Sequence, residues 1–318
     1  MKSTKNAFKK GRRADIIFCV LMAALPLIHY AIFYVGVNFR SILFAFQEYK
    51  SDGLTFTYQF IDGNIFQNFI NAYDTLFHDP SMSRSLLNSA IVYFCGVGIT
   101  LPLSLIFSFF IAKKFVGSKV FRVILFVPSI ISIVVLTYIY SIFADRIYPE
   151  VMRAFLGGGD DFKLSEYQLL ANIDTRFGAI LFYYLFFAFG TNVLMYSGAM
   201  SGVSVDIIEA AQIDGINEFG ELIHIYLPSI FPTITTFLVV GVAGFFTNRF
   251  HLVEFYGHNA VSSMWTLGYY LYRNTVLVTN AEAQYPSLSA MGLAFTLIAA
   301  PITYLVKYLL EKYGPSEE

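Results

Sequence analysis

Cysteine is nearly absent: of 318 residues only Cys19 and Cys95 carry a thiol, each inside an apolar run. Two isolated thiols supply neither a disulfide framework nor a four-ligand zinc site, and both read as small core hydrophobes. Charge is scarce too. Asp, Glu, Lys and Arg make up 14% of the chain, against about a quarter in a soluble domain. The net charge of −1, with no basic block beyond the N-terminal arm, excludes electrostatic binding of nucleic acid. No G-x-x-x-x-G-K-[ST] stretch occurs, so the chain lacks a phosphate-cradling loop of its own. His29, His78, His224, His251 and His258 are scattered without metal-ligand spacing, and no Ser-His-acid arrangement stands on a recognisable elbow. They read as solvated or interfacial side chains, which argues against an intramembrane hydrolase.

Hydrophobic residues are abundant instead, at 56% of the chain. That excess makes the bilayer the expected solvent. A helix needs roughly 20 apolar residues to cross the hydrocarbon core, and the stretches 16–37, 86–112, 120–143, 178–201, 229–249 and 288–310 qualify. They are continuously apolar, without the two-residue alternation of a membrane barrel, so the expected fold is an all-α integral membrane protein of six spans. The N-terminus begins like a signal peptide, but its apolar run is too long for one and no small-x-small cleavage site follows, so it reads as an uncleaved first span. Residues 1–15 form a basic arm and 16–318 a single transmembrane domain.

Lys9, Lys10, Arg12 and Arg13 precede the first span, Lys113, Lys114, Lys119 and Arg122 crowd the second connection, and Lys307 and Lys312 border the last span. The positive-inside rule puts these segments, and both termini, in the cytoplasm. The connections 38–85, 144–177 and 250–287 then face outward, and the "GGGDD" at 157–161 reads as an outward turn. Parity also makes 202–228 cytoplasmic, although it contains no Lys or Arg. Something other than the charge rule holds its acids there.

That loop has an internal order. Asp206 is placed to cap a helix beginning near Ile207, with Glu209 in the capping-box position, and Gly215 supplies the stop. Ile207, Ile208, Ala211 and Gln212 form a short, half-apolar surface. A second helical piece, Asn217 to Tyr226, sets Phe219, Leu222, Ile223 and Tyr226 at 3/4 spacing and leads to Leu227-Pro228. The spacing predicts two short helices at the membrane surface.

The series Glu209-Ala210-Ala211, Asp214-Gly215, Ile225-x-Leu227-Pro228 and Pro232, between the fourth and fifth of six spans, resembles the EAA loop of binding-protein-dependent ABC importer permeases. Two positions depart from the family pattern: Ile216 stands where Ala is common, and Ser204 where Pro often opens the helix. The resemblance implies a type I ABC importer permease fold, in which Glu209, Ala210, Ala211, Asp214, Gly215, Leu227 and Pro228 form a coupling loop docking on a separate ATPase. It also implies no cofactor in this chain, with ATP and Mg bound by the partner ATPase subunits. "LFAFQEY" (43–49), residues 66–93 and "SSMWTLGYYLYRNTV" (262–276) resemble the MalF/UgpA type of carbohydrate permease, the first of them its LplB-like oligosaccharide or polysaccharide branch. The partners so implied are a second, non-identical permease, two ATPase sites, an extracytoplasmic solute-binding protein and a carbohydrate substrate, all at a bacterial or archaeal cytoplasmic membrane. Half of an ion-coupled secondary transporter is the rival reading, but span centres almost free of Asp, Glu, Lys and Arg speak against it.

Sugars carry many hydroxyls and weakly apolar ring faces, so their route calls for aromatic platforms with amide or hydroxyl partners. Tyr184, Ala188 and Thr191, with Phe187 beside them, share a face of the fourth span, and Gly241, Phe245 and Asn248 continue it on the fifth. These residues are the expected substrate path, with packing between helices or against lipid as the alternative.

Overall fold

The computed structural model describes residues 18–51, 56–157, 162–277 and 281–315. The basic arm, with Lys9, Lys10, Arg12 and Arg13, residues 16 and 17 of the first expected span and residues 158–161 of the glycine-rich turn lie outside them. In chain order the elements are α1 (Phe18–Phe44), β1 (Gln47–Ser51), β2 (Phe56–Phe60), α2 (Gln67–His78), α3 (Pro80–Ala112), α4 (Ser118–Ile130), α5 (Ile133–Leu156), α6 (Arg176–Met200), α7 (Val205–Ile213), α8 (Glu218–Glu221), α9 (Phe231–Thr247), α10 (Leu252–Tyr256), α11 (Leu267–Tyr272) and α12 (Tyr285–Tyr313). Five stretches, at Phe18–Phe44, Pro80–Ala112, Arg176–Met200, Phe231–Tyr256 and Glu282–Tyr313, are long and apolar enough to cross a membrane, and the bent pair α4–α5 makes a sixth.

The chain divides into two compact units, residues 1–73 with 282–294, and 74–281 with 295–318. In the first, α1 is apolar all round and none of its span window is buried within the chain, as expected of a helix whose neighbours are lipid or another subunit. An antiparallel hairpin follows, with Gln47 opposite Phe60 and Ser51 opposite Phe56. Asn68 fastens it by donating from Nδ2 to the carbonyls of Ala45 at 3.1 Å and Gln47 at 2.7 Å.

The second unit is organised on α3 and α6. Ser85, Ser89, Thr100, Ser104 and Ser108 of α3 are all buried, and such small side chains let helices approach closely in a membrane. Ser108 Oγ donates to the Val193 carbonyl of α6 at 3.0 Å. Two apolar clusters occupy opposite ends of the long helices. One joins Ile180 of α6 to Phe250, Leu252, Met264 and Tyr269; the other joins Leu105 and Phe109 of α3 to Tyr196, Met200, Leu222, Tyr226 and Ile230.

Two expectations are revised by these helices. The third span is not continuous over 120–143: α4 and α5 meet at 99°, where Ile131 and Ser132 are extended. Pro128 removes a helical donor just before the break and weakens the last turn of α4. The fifth span, expected to end at 249, closes its regular helix at Thr247 and turns through Phe250 and His251, both left-handed at φ 55° and 53°. Part of the connection 250–287 folds back against α3. Asn88 Nδ2 on α3 holds the carbonyls of Ser263 and Trp265, both at 2.9 Å, while Ser89 Oγ accepts from Leu267 N at 3.0 Å. The resulting α11 buries Leu267, Gly268, Tyr269 and Tyr270. Gly268 is required there, because a Cβ would run into the Thr247 carbonyl.

Candidate functional site

The loop between α6 and α9 folds into α7 and α8. Helix α7 starts at Val205, with Ser204 at the N-cap making no side-chain bond, so Asp206 sits inside the first turn rather than capping it. Its favourable position is electrostatic, near the positive end of the helix. The stop is as expected: Gly215 is left-handed at φ 82°, Ile216 N donates to Ala211 O and Gly215 N to Gln212 O, each at 3.1 Å. This paired closure is the Schellman motif, and glycine carries its left-handed residue without a Cβ penalty.

Asn217 caps α8, its Oδ1 accepting from Gly220 N at 2.7 Å. The helix then widens into a π turn over Leu222–Tyr226 before Leu227 and Pro228. A wider turn rotates the buried face. Leu222, Ile225 and Tyr226 are buried, whereas Phe219 and Ile223 of the expected 3/4 set are exposed. Phe109 and Tyr226 meet edge to face at 5.1 Å. Burial, and then the Glu221 carboxylate, push the Tyr226 phenol up from its usual range.

The other surface of the loop is open. Glu209, Ala210, Asp214 and Gly215 are exposed, Ala211, Leu227 and Pro228 half-buried. Val205, Ile207 and Ile213 are exposed at 62%, 55% and 86% beside Asp206, Glu209 and Asp214. Apolar side chains displayed in a polar loop mark a surface that a partner covers. Of the half-apolar surface read from the sequence, Ile208 and Ala211 turn partly inward while Ile207 and Gln212 remain exposed.

One acid behaves differently. Glu221 is 1% exposed and grips Lys113, at the end of α3, with Oε2 2.7 Å and Oε1 3.0 Å from Nζ. The loop has no cation of its own, and a cation from the preceding connection supplies the missing contact.

Above the loop-side cluster lies a cavity of about 250 Å³ between α3, α6 and α9. Tyr184, Ala188, Gly241, Phe245 and Asn248 line it, so five of the seven expected path residues share one wall set. Phe187 and Thr191 line a second cavity of about 450 Å³, between α6 and the broken α4–α5 span, where Tyr184 and Ala188 also reach. The two faces of α6 therefore serve different spaces. Thr191 Oγ1 satisfies itself on the Phe187 carbonyl at 3.4 Å, and no residue of α9 approaches that side of the wall. Sequence reading missed Ser89, Tyr93, Thr100, Asn192, Tyr196 and Thr266, which add hydroxyls and an amide to the first cavity. Thr100 Oγ1 is buried with no hydrogen-bond partner. Thr100 and Ser104, four residues apart on α3, mark a buried small polar face that a search for aromatic platforms does not reveal. No charged side chain lines the first cavity.

Among the five histidines His251 is the one that departs from the solvated reading: it is half-buried, 3.9 Å from Glu254, and borders the second cavity.

A membrane helix assembly whose loop carries this closure, and whose long helices border a mainly apolar cavity set with hydroxyl and amide groups, fits a transport subunit. The profile of the family "Binding-protein-dependent transport system inner membrane component" matches residues 100–315, and the chain belongs to that family. It is similar to the multiple sugar-binding transport system permease protein MsmF of Streptococcus mutans, with 21% identity over 91% of this chain and 93% of that protein. It is similar also to the diacetylchitobiose uptake system permease protein NgcF of Streptomyces coelicolor, with 24% identity over 92% of this chain and 83% of that one. In fold it matches a solved bacterial ABC transporter involved in the import of the acidic polysaccharide alginate, at a TM-score of 0.73 and 18% identity, over 97% of this chain and 99% of that one. The chain is thus a multi-pass inner-membrane permease subunit, a transport component rather than an enzyme.

Proposed function

We propose that the chain forms half of the translocation path of an ATP-driven importer and passes a neutral sugar or oligosaccharide inward by alternating access. One observation carries this reading. Tyr196, Leu101, Phe237 and Leu238 line the first cavity and also belong to, or pack on, the apolar cluster that seats the α7–α8 loop. A displacement of the loop therefore reaches the cavity wall through direct contacts. Tyr93, Tyr184, Asn192 and Asn248 offer ring faces and amides, and the lack of charge in the lining favours a neutral ligand over a uronate.

In this reading Glu209, Ala210, Ala211, Asp214 and Gly215 dock on an ATPase, which binds ATP and Mg. A second, non-identical permease completes the path, and an extracytoplasmic binding protein delivers substrate at the side opposite the loop. Both termini lie in the cytoplasm of a bacterium or archaeon, and residues 16–318 act as one transmembrane domain. The names of the relatives and the family's dependence on a binding protein support these assignments.

The test begins with purification from its native membrane. An ABC ATPase co-elutes with the chain, and vesicles containing the complex and its binding protein take up one of the neutral probes maltotriose or diacetylchitobiose in preference to an alginate trisaccharide. Purification without any ATPase sinks the importer reading; preference for the alginate trisaccharide sinks the neutral-sugar assignment.

A further inference from the structure

The five acids of the 202–228 loop are not equivalent. Asp206, Glu209, Asp214 and Glu218 are exposed, while Glu221 is buried against Lys113 with 2% and 16% of the two side chains left open. Lys113 ends α3, and Lys114 after it turns left-handed at φ 57°, so the helix stops at the ion pair. Loss of hydration roughly cancels the attraction within a buried pair, so its presence is not explained by stability. Two charge-assisted bonds to one ammonium do fix where the partners stand. The apolar contacts around them, such as Phe109 on Tyr226, are non-directional and permit sliding.

The loop is covalently continuous with α6 and α9, but it reaches α3 only through space. Tyr93, Gly96 and Thr100 of α3 form one wall of the first cavity. We propose that Lys113 is a positioning residue for energy coupling: its bond to Glu221 locks the loop to the end of α3, so that loop and cavity wall move as one body. This rests on the importer reading given above.

Spin labels placed at Val116 and Glu218, both exposed, in a chain with Cys19→Ser and Cys95→Ser, report the separation of the two sides within the assembled transporter in lipid vesicles. The unaltered pair gives one narrow distance, the same without nucleotide and with ATP plus vanadate, and Lys113→Arg preserves it. Lys113→Met combined with Glu221→Met leaves no unpaired charge; it assembles and hydrolyses ATP at the basal rate, but its distance broadens and shifts with nucleotide. The reversed pair, Lys113→Glu with Glu221→Lys, restores a single distance and covers the case in which the apolar pair does not assemble. A narrow, nucleotide-independent distance in the Met pair overturns the proposal, as does a nucleotide-dependent distance in the unaltered chain. Failure of the importer reading looks different: the unaltered chain then recruits no ATPase.

Discussion

Asn248 Nδ2 donates to the Tyr184 hydroxyl at 2.7 Å, joining the fifth span to the fourth in the wall of the first cavity. The same side chain accepts from Phe250 N through Oδ1 at 2.8 Å, just where two successive residues turn left-handed. One amide thus holds a cross-helix contact and a strained turn together. Tyr184→Phe removes only the first, which costs about 1 kcal/mol of stability. Asn248→Ala removes both and frees a turn whose left-handed residues each cost of order 1–3 kcal/mol, so its melting temperature falls further. Thermal unfolding in detergent separates the two variants, and equal melting temperatures contradict the double role. In uptake of maltotriose or diacetylchitobiose, whichever the unaltered complex carries, both variants transport more slowly.

Gly215 sets the exit angle of α7 with φ 82° and two closing bonds at 3.1 Å. Replacement by Val forces a β-branched residue into the left-handed region, where an L-residue pays roughly 1–2 kcal/mol. The residue is exposed, and a Cβ there meets nothing within 4 Å, so the effect is on loop geometry rather than on packing. Gly215→Val inserts normally but co-purifies with less ATPase. Full ATPase recovery with normal uptake sinks the coupling assignment.

The length of the apolar runs made most of the span pattern legible, because each long helix meets the bilayer or another helix on every side. The break in the third span was not, since Ile131 and Ser132 read as unremarkable within an apolar stretch and a proline such as Pro128 is tolerated inside membrane helices. The hairpin of Gln47–Ser51 and Phe56–Phe60 was not legible in the charge balance of its connection, which carries no information on strand pairing. In the loop, glycine chemistry was readable, but the π turn before Pro228 was not, and it moved the buried face from Ile223 to Ile225. The path residues do not keep to one face of the fourth span, because Phe187 and Thr191 border only the second cavity, and spacing cannot tell which of two cavities a residue reaches. Thr191 and Asn248 therefore end in different spaces.

The segment 262–272 rests on α3. Asn88 is 5% exposed and holds two carbonyls of that segment, at Ser263 and Trp265. Asn88→Leu removes both bonds, at a net cost of about 1 kcal/mol for each. Limited proteolysis in detergent then cuts the 262–272 segment faster than in the unaltered chain. An unchanged cleavage rate contradicts this anchoring.

Gly241 faces the first cavity, where a Cβ would stand 3.2 Å from Tyr93 Cε2, while a Cβ on the neighbouring cavity residue Gly244 meets nothing within 4 Å. Gly98 on α3 is equally unobstructed and exposed, but lies outside the lining. A leucine side chain at Gly241 or Gly244 occupies volume that a sugar ring would need, whereas at Gly98 it points away from that space. If the first cavity is the route, Gly241→Leu and Gly244→Leu lower uptake of the carried probe by about tenfold or more, a barrier increase of at least roughly 1.4 kcal/mol. Basal ATP hydrolysis and assembly persist in both, because both positions lie outside the 202–228 loop. Gly98→Leu transports normally and controls for the effect of adding bulk to a membrane helix. Uptake by Gly244→Leu at the rate of the unaltered complex places the route elsewhere, since that substitution fills the cavity without displacing Tyr93.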